Sequence, residues 1–262
     1  IENHSGLNLD SFFDMWFRSK GYPILKASFE YDKKKGLGKF TFEQTQVDKK
    51  KGIELFEMDL EIGWQDTRGG DHVDTVHLTK GTQIINIKMD EPAHILLDPN
   101  MKALFEAEFN PGDDKLRHLL ENGKTVRGLM QAMSELAKTG KRKNLQAIRE
   151  YLKQEKRWGL RIHAFRVLGS VGNAYAYAHL AELLSAETDP MVIEEAARAC
   201  GNHRNDAMRD SILSKLKAKD LPYRGEMALL ESLGKQRNAE DTPLLTAYTK
   251  KDGWRNLVRA GA

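Results

Sequence analysis

Two histidines five residues apart, His72 and His77, are the nearest approach in this chain to a metal-ligating pair. Zinc needs imidazoles that converge, and successive side chains of a regular strand alternate between faces, so an odd spacing points these two apart. They read as separate polar residues. The one thiol, Cys200, has no partner for an internal disulfide and sits among small residues, which reads as a buried structural cysteine rather than a nucleophile. No His-Glu-x-x-His, no Cys-x-x-Cys, no glycine-rich phosphate loop and no Gly-x-Ser-x-Gly elbow occurs in the sequence. By its residues the chain is not a self-sufficient enzyme. The remaining candidates are five arginines, Arg161, Arg166, Arg198, Arg255 and Arg259, whose guanidinium forks suit a carboxylate. They recur on what reads as the second helices of a helical array, a layer that would line a concave side. A solvated face is the plainer reading of the same charges.

That array is written in a repeat. Leu136-Ala137, Leu168-Gly169, Cys200-Gly201 and Leu233-Gly234 recur 32, 32 and 33 residues apart, each closing a helical pattern. A period of this size signifies stacked helix pairs. Each unit opens at Val126, Trp158, Pro190 or Tyr223, and Trp254 opens one more that reads as cut off mid-helix. The aromatic openers Trp158, Tyr223 and Trp254 are expected to form inter-repeat core. Ala132, Ala164 and Ala196 fall where one helix approaches the next closely. Residues 111–262 are therefore expected to be an α-helical HEAT-like solenoid, truncated in its last repeat.

Upstream, the apolar period is two. Short alternating runs around Phe29, Phe40, Leu60, Val76, Ile87 and Ile95 are separated by Gly, Asp and Lys, the pattern of an antiparallel β-sandwich over 24–110 with one buried face per sheet. Lys33-Lys34-Lys35 and Lys49-Lys50-Lys51, each followed by Gly, read as solvated hairpin tips. Asn110-Pro111-Gly112 breaks the pattern, and a transitional helix follows around Lys115 to Glu121. Before the sandwich, Phe12, Phe13, Trp16 and Phe17 form a wide aromatic face on a short helix, which must pack on something. Residues 1–23 are read as a helix left from the end of a preceding domain, and the chain as a piece of a longer protein.

Composition agrees. The 262 residues are 40% hydrophobic and 30% charged, enough for two ordinary cores. With 41 basic against 38 acidic residues the net charge is only +3, which argues against nucleic acid as a partner. There is no stretch of ~18 apolar residues, so no membrane partner is expected. The compartment is left open, with the cytoplasm the default.

The order of the parts resembles a known family. Gly6-Leu7-Asn8-Leu9 with Phe12-Phe13 and Trp16, then Gly21-Tyr22-Pro23, resembles the segment in which the catalytic domain of M1-family zinc aminopeptidases ends. Phe40-Thr41-Phe42-Glu43, Phe56-Glu57-Met58-Asp59-Leu60 and Pro92-Ala93-His94-Ile95-Leu96-Leu97-Asp98-Pro99 look like its small sandwich. Arg157-Trp158-Gly159-Leu160-Arg161 and Thr188-Asp189-Pro190-Met191-Val192 look like its HEAT-like units. The resemblance implies a non-catalytic C-terminal region. Zinc belongs to the parent protein, since the His-Glu-x-x-His motif is missing here, and no cofactor is expected in this part. The implied partners are the preceding catalytic domain and a peptide substrate, whose carboxylate end a few of the five arginines would face. The implied role is to cap the active-site chamber and limit access. Some relatives of this architecture lack the catalytic motif, which leaves a protein-interaction scaffold without peptidase activity as the alternative.

Overall fold

A computed structural model of the chain describes residues 6, 8–218, 221–251 and 253–262. It has two compact units, Ile1–Leu119 and Leu120–Ala262. The first carries two β-sheets and the second only helices, a β-sandwich followed by a HEAT-like helical domain.

In the first unit a short helix α1 (Asp10–Phe13) runs into a π-helical turn (Asp14–Arg18), closed by the Ser19 N–H donating to the Asp14 carbonyl at 2.9 Å. Ser5 and Leu7 of the opening motif lie outside the described residues. Trp16 packs on Phe56 with ring centroids 5.3 Å apart and adds to the sandwich core, while Phe12 and Phe17 remain exposed.

Seven strands follow: β1 (Ile24–Asp32), β2 (Leu37–Gln44), β3 (Met58–Asp66), β4 (Asp71–Leu78), β5 (Thr82–Lys88), β6 (Pro92–Leu97) and β7 (Glu106–Phe109). They form one sheet of order β5-β2-β1-β7 and another of order β4-β3-β6. Alternation places Leu25, Phe40, Phe42, Leu60, Ile62, Ile95, Leu97 and Phe109 inward, all nearly inaccessible. Each such side chain contributes about 1.5–3 kcal/mol by leaving water. Lys33-Lys34-Lys35 lies at the tip of the β1–β2 hairpin, whereas Lys49-Lys50-Lys51 lies in a turn closed by an isolated bridge between Asp48 and Ile53, in a connection that crosses between the sheets. Asp32 accepts from the N–H groups of Lys34 and Lys35, and Asp48 repeats the device with Lys50 and Lys51.

Two features depart from simple alternation. β7 pairs with β1 in parallel, Ile24 opposite Glu106 and Ala27 opposite Phe109, because the chain crosses from the β4-β3-β6 sheet back to the other before adding it. β3 is buried on both faces, since loop 98–103 covers its outer side. A Cβ on Gly63 would meet Pro99 at 2.9 Å, and buried Glu61 takes hydrogen bonds from Asn100 at 2.8 Å and from Lys102. Asp98, at φ 50 and fully buried, fixes that loop by accepting from the Lys102 and Ala103 N–H groups at 2.8 and 3.2 Å.

The transitional helix is α2 (Asp113–Asn122). In the second unit, opening helices α3 (Val126–Lys138), α5 (Trp158–Gly169), α7 (Pro190–Gly201), α9 (Tyr223–Gln236) and the short α11 (Leu257–Gly261) stack as one layer. Helices α4 (Arg142–Gln154), α6 (Ala174–Ala186) and α8 (Asp206–Leu216) stack as the other, and α10 (Thr242–Tyr248) follows them in sequence. Side-chain caps start many of them. Thr125, Asn173, Asp189 and Asn205 each accept a hydrogen bond from an N–H of the first turn.

The repeat anchors close the opening helices, and their smallness matters at two places. A Cβ on Gly169 would stand 2.8 Å from Ala199 Cβ and 2.9 Å from Ala199 Cα, and one on Gly201 would stand 2.6 Å from Ser232 Oγ. Ala132, Ala164 and Ala196 are completely buried, as their spacing predicts. Side-chain amides at or next to helix ends tie one unit to the next: Asn173 Nδ2 donates to the Gly140 carbonyl at 2.9 Å, Asn202 Nδ2 to the Gly169 carbonyl at 3.1 Å, and Gln236 Nε2 to the His203 carbonyl at 3.0 Å. The offset is 33 residues each time.

The aromatic openers are not core. Trp158 is 54% exposed and Tyr223 47%, and Val126 is exposed as well. Each is the first residue of its helix, two before the first buried position (Gly128, Leu160, Gly225), which at 100° per residue places it on the opposite face. The side chain of Trp254 lies outside the described residues.

Candidate functional site

The candidate arginines sit on the opening helices rather than the second ones: Arg161 and Arg166 on α5, Arg198 on α7. The correction follows from the anchors, since the helix that ends at Leu168-Gly169 is also the one that carries Arg161 and Arg166. Arg255 lies in a 3-10 turn at φ 54, and Arg259 on α11 donates from Nε to the Lys251 carbonyl at 3.0 Å.

Carboxylates hold the central three, and those on Arg166 and Arg198 come in part from the next unit. Arg166 Nη2 meets Glu195 at 3.0 Å, and Arg198 meets Glu231 at 2.9 Å and Glu194 at 3.4 Å. Arg224 reaches the same Glu194 at 3.0 Å. Arg161 pairs with Glu187, whose carboxylate is only 3% exposed and also accepts the N–H groups of Thr188 and Asp189 at 2.8 Å. Arg161 thus locks the α6–α7 connection, whereas Arg166, whose side chain is 62% exposed, also faces solvent. These pairs recur roughly one unit apart: Arg149 with Glu182 and Arg209 with Asp241 do the same on the second layer. A signal was present in the sequence, an acidic residue 29 to 33 positions after an arginine.

Other polar clusters were not foreseen. Glu155, between α4 and α5, accepts from the Arg157 N–H and Nε at 2.7 and 2.9 Å and from the Tyr151 hydroxyl. The Arg157 guanidinium holds its carboxyl down at about 2. His163 Nε2 lies 2.9 Å from Ser134 Oγ and 3.0 Å from the Met130 carbonyl. A carbonyl contact requires a proton on that nitrogen, so Nε2 has no lone pair with which to activate the serine. Burial lowers the His163 pKa and favours the neutral ring.

His72 and His77 serve separate aspartates. His72 Nε2 stands 2.9 Å from Asp66, stacked on Trp64, and His77 Nδ1 stands 2.7 Å from Asp59. The Asp66 carboxyl is held at about 2 by His72 and by the N–H groups of Gly70 and Arg68. Cys200 is fully buried, and burial pushes its thiol up to about 12, so it is a packing residue without thiolate character. Among the described residues no three His, Cys, Asp or Glu side chains converge on a point. Among these residues the donor set that zinc needs is not assembled. No helix among the described residues is long and apolar enough to cross a membrane.

Residues 114–199 match the family of HEAT repeats. Comparison with curated proteins gives no match. Among solved structures, the fold is similar to that of Legionella pneumophila aminopeptidase A, crystallised in complex with aspartic acid, with a TM-score of 0.57 and 11% sequence identity. The similarity covers 99% of this chain and 37% of that one, so the chain spans little more than a third of that protein's length.

Proposed function

We propose that the chain is the non-catalytic β-sandwich and HEAT-like part of a protein resembling M1-family zinc aminopeptidases, and that it caps the active-site chamber and limits which peptides enter. The observation that carries this reading is the extent of the likeness: essentially the whole chain, in one order, follows a 37% portion of an aminopeptidase chain. The absent catalytic constellation fits the same division of labour, in which hydrolysis of N-terminal residues and the zinc that supports it belong to another part of the protein. Within this reading Arg166 and Arg198 are the groups to meet a substrate carboxylate, because their guanidinium groups are partly open to solvent while Arg161 is held by a buried glutamate.

The test uses the full-length protein. Arg166→Ala and Arg198→Ala should raise KM for peptides more than for a minimal aminoacyl reporter, by about tenfold where the contact is desolvated and less where it is solvated. An equal effect on both substrates accompanied by a lower melting temperature would mark a damaged repeat. Unchanged KM for peptides with unchanged folding would reject the role of these arginines. The isolated chain should bind no stoichiometric zinc and cleave no aminoacyl amide, and zinc at one equivalent with turnover surviving repurification would overturn the reading altogether.

A further inference from the structure

Where α8 begins and α9 ends, two loops of adjacent units enclose a cleft of about 480 Å3 whose lining includes Arg204, Arg209 and Arg237. We propose that it binds an oxyanion, the carboxylate or phosphate group of a small polar ligand. The volume is that of a small-molecule site rather than of a bare ion. The wall is almost wholly polar, with Ala239 its one apolar residue, so an apolar ligand would gain little there.

Two of the three guanidinium groups of the cleft have no carboxylate partner among the described residues. Arg209 is fixed and neutralised by two hydrogen bonds to Asp241, at 2.9 and 2.7 Å, with Glu240 at 3.3 Å and Asp210 at 3.9 Å beside it. Arg204 and Arg237 differ from Arg149, Arg161, Arg166, Arg198 and Arg224: among the described residues neither has a carboxylate within 4 Å. One acidic residue, Asp206, shares the lining. Two guanidinium groups without a partner, against the one carboxylate of the lining, leave a place that an anion completes.

The frame is rigid before any ligand arrives. Buried Gln236 donates to the carbonyls of Cys200 and His203 at 3.1 and 3.0 Å and accepts the Asn205 N–H at 2.9 Å. Arg237 holds a left-handed conformation, φ 55 and ψ 40, that ends α9 and turns the chain into the wall of the cleft. Such a conformation is unfavourable for a residue with a side chain and persists only where its surroundings impose it. This inference stands independently of the peptidase reading.

Calorimetric titration of the full chain with inorganic phosphate, and separately with succinate, at constant ionic strength tests it. One saturable site is expected, weakened at least about tenfold in R204Q/R237Q with an unchanged melting temperature. In R204K/R237K, which keeps the charge and loses the fork, the affinity should be intermediate. Tighter phosphate binding identifies a phosphorylated ligand, and tighter succinate binding a carboxylate ligand. Shifts of the Asn205 and Asn238 side-chain amide signals on titrating the unsubstituted chain locate the site without any substitution. No saturable binding of either anion at millimolar concentration, shifts confined elsewhere, or undiminished binding by R204Q/R237Q would overturn the proposal.

Discussion

Two glycines that occupy the same place in the repeat should respond to alanine with opposite sign. Gly169 and Gly234 each close an opening helix, and each would gain about 0.5–1 kcal/mol from alanine through the smaller entropy of the unfolded chain. At Gly169 the new Cβ would stand 2.8 Å from Ala199 Cβ and 2.9 Å from Ala199 Cα, and the second of these is backbone that cannot rotate away. Relieving such an overlap means separating α5 from α7, and overpacking of this kind costs about 1–3 kcal/mol. The expected balance for Gly169→Ala is a loss of about 1–2 kcal/mol, or roughly 3–7 °C in Tm for a unit of this size. At Gly234 nothing lies within 4 Å of the added atom, so Gly234→Ala should be stabilising by about 0.5–1 kcal/mol. Urea and thermal unfolding of both variants, read by helical circular dichroism, measure the difference. Equal losses at both positions, or no loss at Gly169, would refute the claim that close approach of helices sets the residue type there.

Arg161→Ala strips a buried carboxylate of its counter-charge and should cost about 3 kcal/mol, while adding Glu187→Gln should restore part of it, a coupling that a double-mutant cycle quantifies. Because Glu155 titrates at about 2 in the folded chain and near 4.5 when unconstrained, its contribution is complete above pH 4.5 and disappears as pH falls towards 2. The stability difference between the unsubstituted chain and Glu155→Gln should therefore shrink by up to ~3 kcal/mol over that window, and a pH-independent difference would refute the assignment. Cys200 should resist thiol reagents in the native chain and react only on unfolding, at the rate of global opening.

Much of this architecture was legible because it is periodic. Alternation at Phe40 and Phe42 and the recurrence of Leu136-Ala137, Leu168-Gly169, Cys200-Gly201 and Leu233-Gly234 at 32 or 33 residues are properties of local sequence, and both survive in the folded chain. What was missed depends on neighbours. Trp158 and Tyr223 looked like core by residue type, yet their place in the first turn turns them to solvent. The double burial of β3 is invisible in its own residues, because loop 98–103 supplies the cover. The arginines were readable as candidates, but their glutamate partners required the stacking register, which becomes apparent only once opposite charges are compared one unit apart. The cleft at Arg204 and Arg237 combines residues from two loops 33 positions apart and has no local signature.

The helical stack is fastened by two kinds of bond. At the ends where opening helices finish, Asn173, Asn202 and Gln236 join neighbouring units through neutral amides. Along the same helices Arg166 with Glu195, Arg198 with Glu231 and Arg224 with Glu194 join neighbouring units through charge. Dissolved salt weakens the second kind of bond and leaves the first almost untouched. Raising the salt should therefore loosen the exposed charged ties, Arg166–Glu195 and Arg198–Glu231, and leave the amide ties in place, so the spacing of the opening helices should follow ionic strength while their register holds.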